Sequence, residues 1–190
     1  MLNRFVRLQW RTAMTMRLFV VSFLGLLLGG LARAEVASGP KQGEKVAALK
    51  VYAVTGEPKD KEVDYADLRK DKATVYVFVS AKDFGRPMFR FLKKLDEDLG
   101  DDGLVVAVWL TDDPDKSKEY LPKISQYFKR AALTVFDGTA GPKDWGINPD
   151  AHLTAVVANK GKVVKSFGYM SLNETDVAEV VETLKKAVKK

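Results

Sequence analysis

Residues 74–100 read TVYVFVSAKDFGRPMFRFLKKLDEDLG, and the change of period inside that stretch decides the fold. Thr74 to Ser80 is β-branched and aromatic with almost no polar alternation, the pattern of a strand buried on both faces of a sheet. Further on, the apolar positions take helical spacing at Met88, Phe91, Leu92, Leu95 and Leu99, and Gly100 ends the run. Pro87 is expected to open the helix, where its missing N–H costs nothing. A buried strand leading into an amphipathic helix is the first half of a strand–helix–strand unit.

Working outward, Leu104 to Leu110 is a second buried strand, and Asp113-Pro114 supplies the N-cap and first position of a second helix. That helix carries Tyr120, Leu121, Ile124, Tyr127 and Phe128 on one side, and Pro122 inside it is expected to kink or restart it. Leu133 to Phe136 is a third strand. Leu153 to Ala158 and Lys162 to Phe167, joined by Asn159-Lys160-Gly161, form an antiparallel hairpin. Asn173, with Asp176 three residues on, caps a last helix whose apolar face is Val177, Val180, Val181, Leu184 and Val188. Upstream, Leu49 to Val54 and Glu62 to Asp64 flank Gly56-Glu57-Pro58 as a first hairpin. Parallel strands joined by helices, followed by an antiparallel pair, predict an α/β domain with a mixed central sheet, helices on both faces and an N-terminal hairpin.

Residues 1–34 stand apart. Arg4, Arg7, Arg11 and Arg17 precede an uncharged run from Leu18 to Leu31, and Ala32-Arg33-Ala34 follows. A basic start, an apolar stretch and an A-x-A site make a secretory signal peptide, with cleavage expected before Glu35. As a helix the run rises only about 21 Å, short of a bilayer core of roughly 30 Å, so an uncleaved anchor is the lesser reading. Met14 and Met16 also stand ahead of the run as alternative starts. Residues 35–44, with Ser38, Gly39, Pro40 and Gly43, read as a linker, and 45–190 as the domain.

Five of the 31 basic residues and none of the 25 acidic ones belong to the leader, so the rest is close to neutral. The pI of 9.3 is therefore mostly the leader's, and it carries no inference toward nucleic acid. An exported chain of 190 residues with no cysteine holds together by its core alone and cannot use a thiolate.

The element order, with Val75 to Ser80 as central strand, Leu104 to Asp112 ending in acids and Thr154 to Val163 as a hairpin with a Gly-Lys-Val turn, resembles the thioredoxin-like superfamily. It looks closest to the redoxin branch that includes alkyl hydroperoxide reductase/thiol-specific antioxidant domains and exported thiol-disulfide reductases. The resemblance covers roughly residues 43–190 and implies a three-layer sandwich whose active-site loop is replaced by Ala81-Lys-Asp-Phe-Gly-Arg-Pro87. By register from Phe78, the C-x-x-C positions of the reductases fall at Asp83 and Arg86, and a peroxidatic cysteine would stand within 84–87; none is present. The family's cis-proline precedes the hairpin's first strand, where this chain has Leu153. A cis peptide there would cost about 2.5–4 kcal/mol, so a trans bond is expected.

The candidate site is thus the former active-site loop, Asp83, Phe84 and Arg86, with His152 and Leu153 facing it. Asp83 as acceptor or base and Arg86 as an anion clamp is one reading; Asp83 capping the helix with Arg86 solvated is the other. His152 is the only histidine and, without cysteines or a second histidine, makes no zinc site. Asp112, Asp113 and Asp115 lack calcium-loop spacing and read as helix capping. No metal or cofactor is expected. The function expected is that of a non-catalytic binding or structural module, periplasmic or extracellular, with a protein or peptide partner. It would touch no nucleic acid, and a membrane only through an uncleaved leader. The rival is an enzyme with non-thiol chemistry at Asp83, Arg86 and His152.

Overall fold

A computed structural model describes residues 36–189; the leader expected at 1–34 lies outside them. A hairpin comes first: β1 (Lys50–Ala53) and β2 (Lys61–Asp64). One helical turn, α1 (Tyr65–Leu68), is followed by β3 (Thr74–Ser80), α2 (Arg86–Leu99), β4 (Leu104–Thr111), α3 (Pro114–Ser125) and β5 (Ala132–Asp137). The second hairpin is β6 (Leu153–Asn159) and β7 (Lys162–Tyr169), and α4 (Val177–Val188) closes the chain. All seven strands join one sheet in the order β2-β1-β5-β4-β3-β6-β7; β3–β4 and β4–β5 are parallel, the other pairs antiparallel.

Alternation along the central strands divides the core in two. Val75, Val77 and Val79 of β3 and Val105, Ala107 and Trp109 of β4 face α2, α3 and α4. Tyr76 and Phe78, with Val106, Val108 and Leu110, face the other way, against Val46, Leu49, α1 and Trp145. That second layer has no long helix over it, yet burial pushes the phenols of Tyr65 and Tyr76 above their ordinary value. The uneven cover follows from connectivity. The crossovers β3-α2-β4 and β4-α3-β5 step in the same direction across the sheet, and right-handed crossovers then lie on one face.

Local chemistry accounts for most boundaries. The β6–β7 turn is Lys160-Gly161, both at positive φ (51° and 70°), the geometry that suits the twist of a two-residue hairpin. Asp113 caps α3, accepting from the Lys116 amide at 3.1 Å. Asn173 and Asp176 form a reciprocal box opening a 3₁₀ turn, Glu174–Asp176, that runs into α4. The peptide before Leu153 is trans; among the described residues the cis bond is Glu57–Pro58.

Several expectations are corrected. Asp64 ends β2 but also caps α1, accepting from the Ala66 and Asp67 amides, and that short helix has no periodic signature to show in the sequence. α3 continues through Pro122 for three more residues, because Leu121 and Ile124 on either side are buried. The stretch expected as a linker is laid over β6 and β7. Val36 N–H donates to the Gly168 carbonyl (3.0 Å), Gly43 N–H to Val163 (2.8 Å), and the buried Ser38 hydroxyl meets that of Thr154 at 2.6 Å. A Cβ on Gly168 would stand 2.2 Å from the Val36 carbonyl oxygen, so only glycine lets this strap lie flat.

Candidate functional site

The carboxyl end of β3 and the start of β6 are neighbours, with Val79 opposite Leu153, so the loops at 81–85 and 146–152 open on the same end of the sheet. The first continues the β3–β4 pairing for one residue, Ala81 N–H donating to the Leu110 carbonyl at 3.0 Å. It then turns: the Asp83 amide donates to the Ser80 carbonyl (3.2 Å), and the Ser80 hydroxyl donates to the Asp83 carboxylate (2.8 Å). Asp83 therefore fastens the turn and does not cap the helix. The N-cap is Gly85, which brings no side-chain hydrogen bond; Arg86 is the first helical residue and Pro87 the second.

Phe84 folds inward, its ring 4.8 Å from Trp109 and 6.3 Å from Tyr120. Leu153 is wholly buried in the sheet and offers no surface. His152 is exposed and held through its backbone, N–H donating to the Tyr169 carbonyl at 2.9 Å. Asp83 and Arg86 form no ion pair with each other within 4 Å. Of the residues expected at the site, Arg86 lines a groove. That groove, about 270 Å³, runs between Arg86, Pro87 and Arg90 of α2 and Leu172, Asn173 and Glu174 after β7. The last three residues come from a segment read from sequence only as a helix cap. The available signal for Arg90 was its spacing of four from Arg86, which puts both on one helical face.

The described residues contain no cluster of three or more His, Cys, Asp or Glu side chains able to hold a metal ion. None of their helices is long and apolar enough to cross a membrane.

The helix start, with Gly85 as N-cap, offers a second register for the missing thiols beside the expected Asp83 and Arg86. Asp83 lies two residues before the N-cap, whereas positions three apart within the first turn are Gly85 and Met88. Gly85 has an extended backbone (φ −142°), and a Cβ there meets nothing closer than 3.8 Å. The pair Gly85→Cys, Met88→Cys should therefore close to an intramolecular disulfide more readily than Asp83→Cys, Arg86→Cys. The readout is the loss of two hydrogens in mass, reversed by dithiothreitol. Preferential closure of the second pair would return the register to Asp83.

No known family profile matches the sequence, and no curated protein matches it. Solved structures do match. A candidate protein disulfide isomerase from Bacteroides thetaiotaomicron superposes with a TM-score of 0.60 at 16% identity, covering 82% of this chain and 96% of its own. A peroxiredoxin-like protein from Aquifex aeolicus gives 0.53 at 18% identity, over 80% and 90% of the two chains. The exposed lipoprotein thioredoxin of Streptococcus pneumoniae gives 0.51 at 19%, over 74% and 99%. The fold is thioredoxin-like, as the seven-stranded mixed sheet indicates. This chain is a cysteine-free version of it, without a thiol to oxidise or reduce.

Proposed function

We propose that this protein is an exported binding module in which the groove beside the start of α2 holds a protein or peptide partner. The observation that carries the reading is the groove itself. Its wall is built from the exposed residues Arg86, Pro87 and Arg90 and its floor includes Leu172, at the end of the sheet where α/β folds gather their ligands. Met170, in the loop leading to it, is 45% exposed, a large apolar side chain left in solvent on the same connection. Export is supported by the leader pattern at residues 1–34, and one of the structural relatives is named as an exposed lipoprotein.

The test uses protein purified from the extracytoplasmic fraction of its host, where its N-terminus is expected at or near Glu35. A peptide-display selection against it should return ligands whose amide-shift footprint falls on 86–90 and 170–174. Leu172→Lys should weaken them at least about tenfold, since a buried ammonium would replace an apolar floor. Ligands that footprint elsewhere, or none at all, would refute the reading.

A further inference from the structure

Helix α2 carries its charges in reverse. From Arg86 to Leu95 it holds Arg86, Arg90, Lys93 and Lys94 and no acid, and then Asp96, Glu97 and Asp98 follow in its last turn. The helix dipole favours the opposite, acids in the first turn and bases in the last. Two of the four bases are relieved on the spot: Lys93 meets Glu97 at 2.7 Å and Lys94 meets Asp98 at 2.9 Å. Those contacts hold the Glu97 carboxyl below its ordinary value and the Lys94 ammonium above its own. Arg90 has one contact, its Nε 3.7 Å from Glu174. Arg86 has no ion pair among the described residues; the carboxylate nearest in sequence, Asp83, accepts a hydrogen bond from the Ser80 hydroxyl and lies beyond 4 Å of the guanidinium. The uncompensated positive charge therefore stands on the wall of the groove, next to Pro87 and opposite Leu172. Locally unfavourable residue choices of this kind are expected where function overrides stability.

Resting on the peptide-binding reading above, we infer that the groove is selective for an acidic peptide segment. An apolar side chain of the ligand sits against Pro87 and Leu172, and a carboxylate beside it meets the Arg86 guanidinium, whose planar fork suits two parallel hydrogen bonds. Glu174 on the opposite wall repels a carboxylate placed at that end, so the acid lies on the Arg86 side.

The probes are three acetylated, amidated decapeptides with one central Leu-Ala-Leu and flanks of Glu, Gln or Lys, titrated against the isotope-labelled protein and read by amide shifts at 86–90 and 172–174. The Glu peptide should bind at least about tenfold more tightly than the Gln peptide, and the Lys peptide more weakly still. Raising salt from 0.1 M to 1 M, which shortens the screening length from about 10 Å to about 3 Å, should erase most of the difference. Arg86→Glu should abolish the preference while raising the melting temperature by about 1–3 °C, because an acid at the first helical position agrees with the dipole. Equal binding of all three peptides at the groove overturns the acidic selectivity and leaves the groove reading standing. An Arg86→Glu protein that melts higher yet keeps the preference overturns it too. No shift at the groove with any peptide overturns both.

Discussion

Trp145→Ala is expected to cost about 3–5 kcal/mol of folding stability, the range for removing a buried tryptophan. Trp145 ends the 3₁₀ turn Lys143–Trp145 and is 1% exposed. Its ring lies 5.1 Å from that of Tyr76 and 4.8 Å from that of Phe78, and its indole N–H donates to the Ala48 carbonyl at 3.1 Å. It bridges the central strand and the N-terminal segment on the face that has no long helix, so few neighbours can move in to fill the space. Trp145→Phe keeps most of the volume and loses the hydrogen bond, and should cost about 1–2 kcal/mol. Urea unfolding followed by circular dichroism measures both. A loss below about 1 kcal/mol for the alanine variant would mean that the turn is peripheral to the core.

Asp96→Ala should cost about 2–4 kcal/mol by a different route. Asp96 is 4% exposed on the inner face of α2, and one carboxylate oxygen accepts from the backbone amides of Lys129 (2.5 Å) and Arg130 (3.2 Å). It pins the connection between α3 and β5 to a helix more than thirty residues earlier in the chain. Alanine leaves those donors without a partner in a part-buried place, and a hydrogen bond to a charged group contributes about 1.5–3 kcal/mol. Asp96→Asn keeps an acceptor and loses the charge, so roughly half the penalty should remain. The local signature is faster hydrogen exchange at Lys129 and Arg130 in both variants. If exchange there is unchanged while global stability falls, the carboxylate acts through α2 itself and the pinning account fails.

These two residues also show where a linear reading runs out. Asp96 follows Leu92 by four and therefore falls on the apolar stripe of α2, a polar residue in a core position. That anomaly was visible; its partner was not, because nothing near Asp96 in the chain names the amides at 129 and 130. Trp145 stood in a glycine-rich loop and reads as a packing residue; what it packs against, Tyr76 and Phe78, is decided by the loop folding back over β3. The groove divides in the same way. Arg86 lies in the loop that the sequence singled out, whereas Arg90, Leu172, Asn173 and Glu174 line the groove with it only once β7 is in place beside β6.

What the chain's order of residues determined by itself is what acts over a few positions. The buried strands 74–80 and 104–110, the positive-φ turn at Lys160-Gly161, the caps at Asp113 and Asn173, and the loss of thiol chemistry all follow from side-chain period, backbone sterics or composition. Tertiary structure decided what depends on contacts between distant segments. It laid residues 36–44 over the sheet rather than leaving them as a spacer, set three long helices on one face, turned Asp83 toward Ser80, and placed Arg86 across a groove from Leu172. The physical reason is that propensity and capping are local energies, while strand order, crossover handedness and register fix which remote side chains meet.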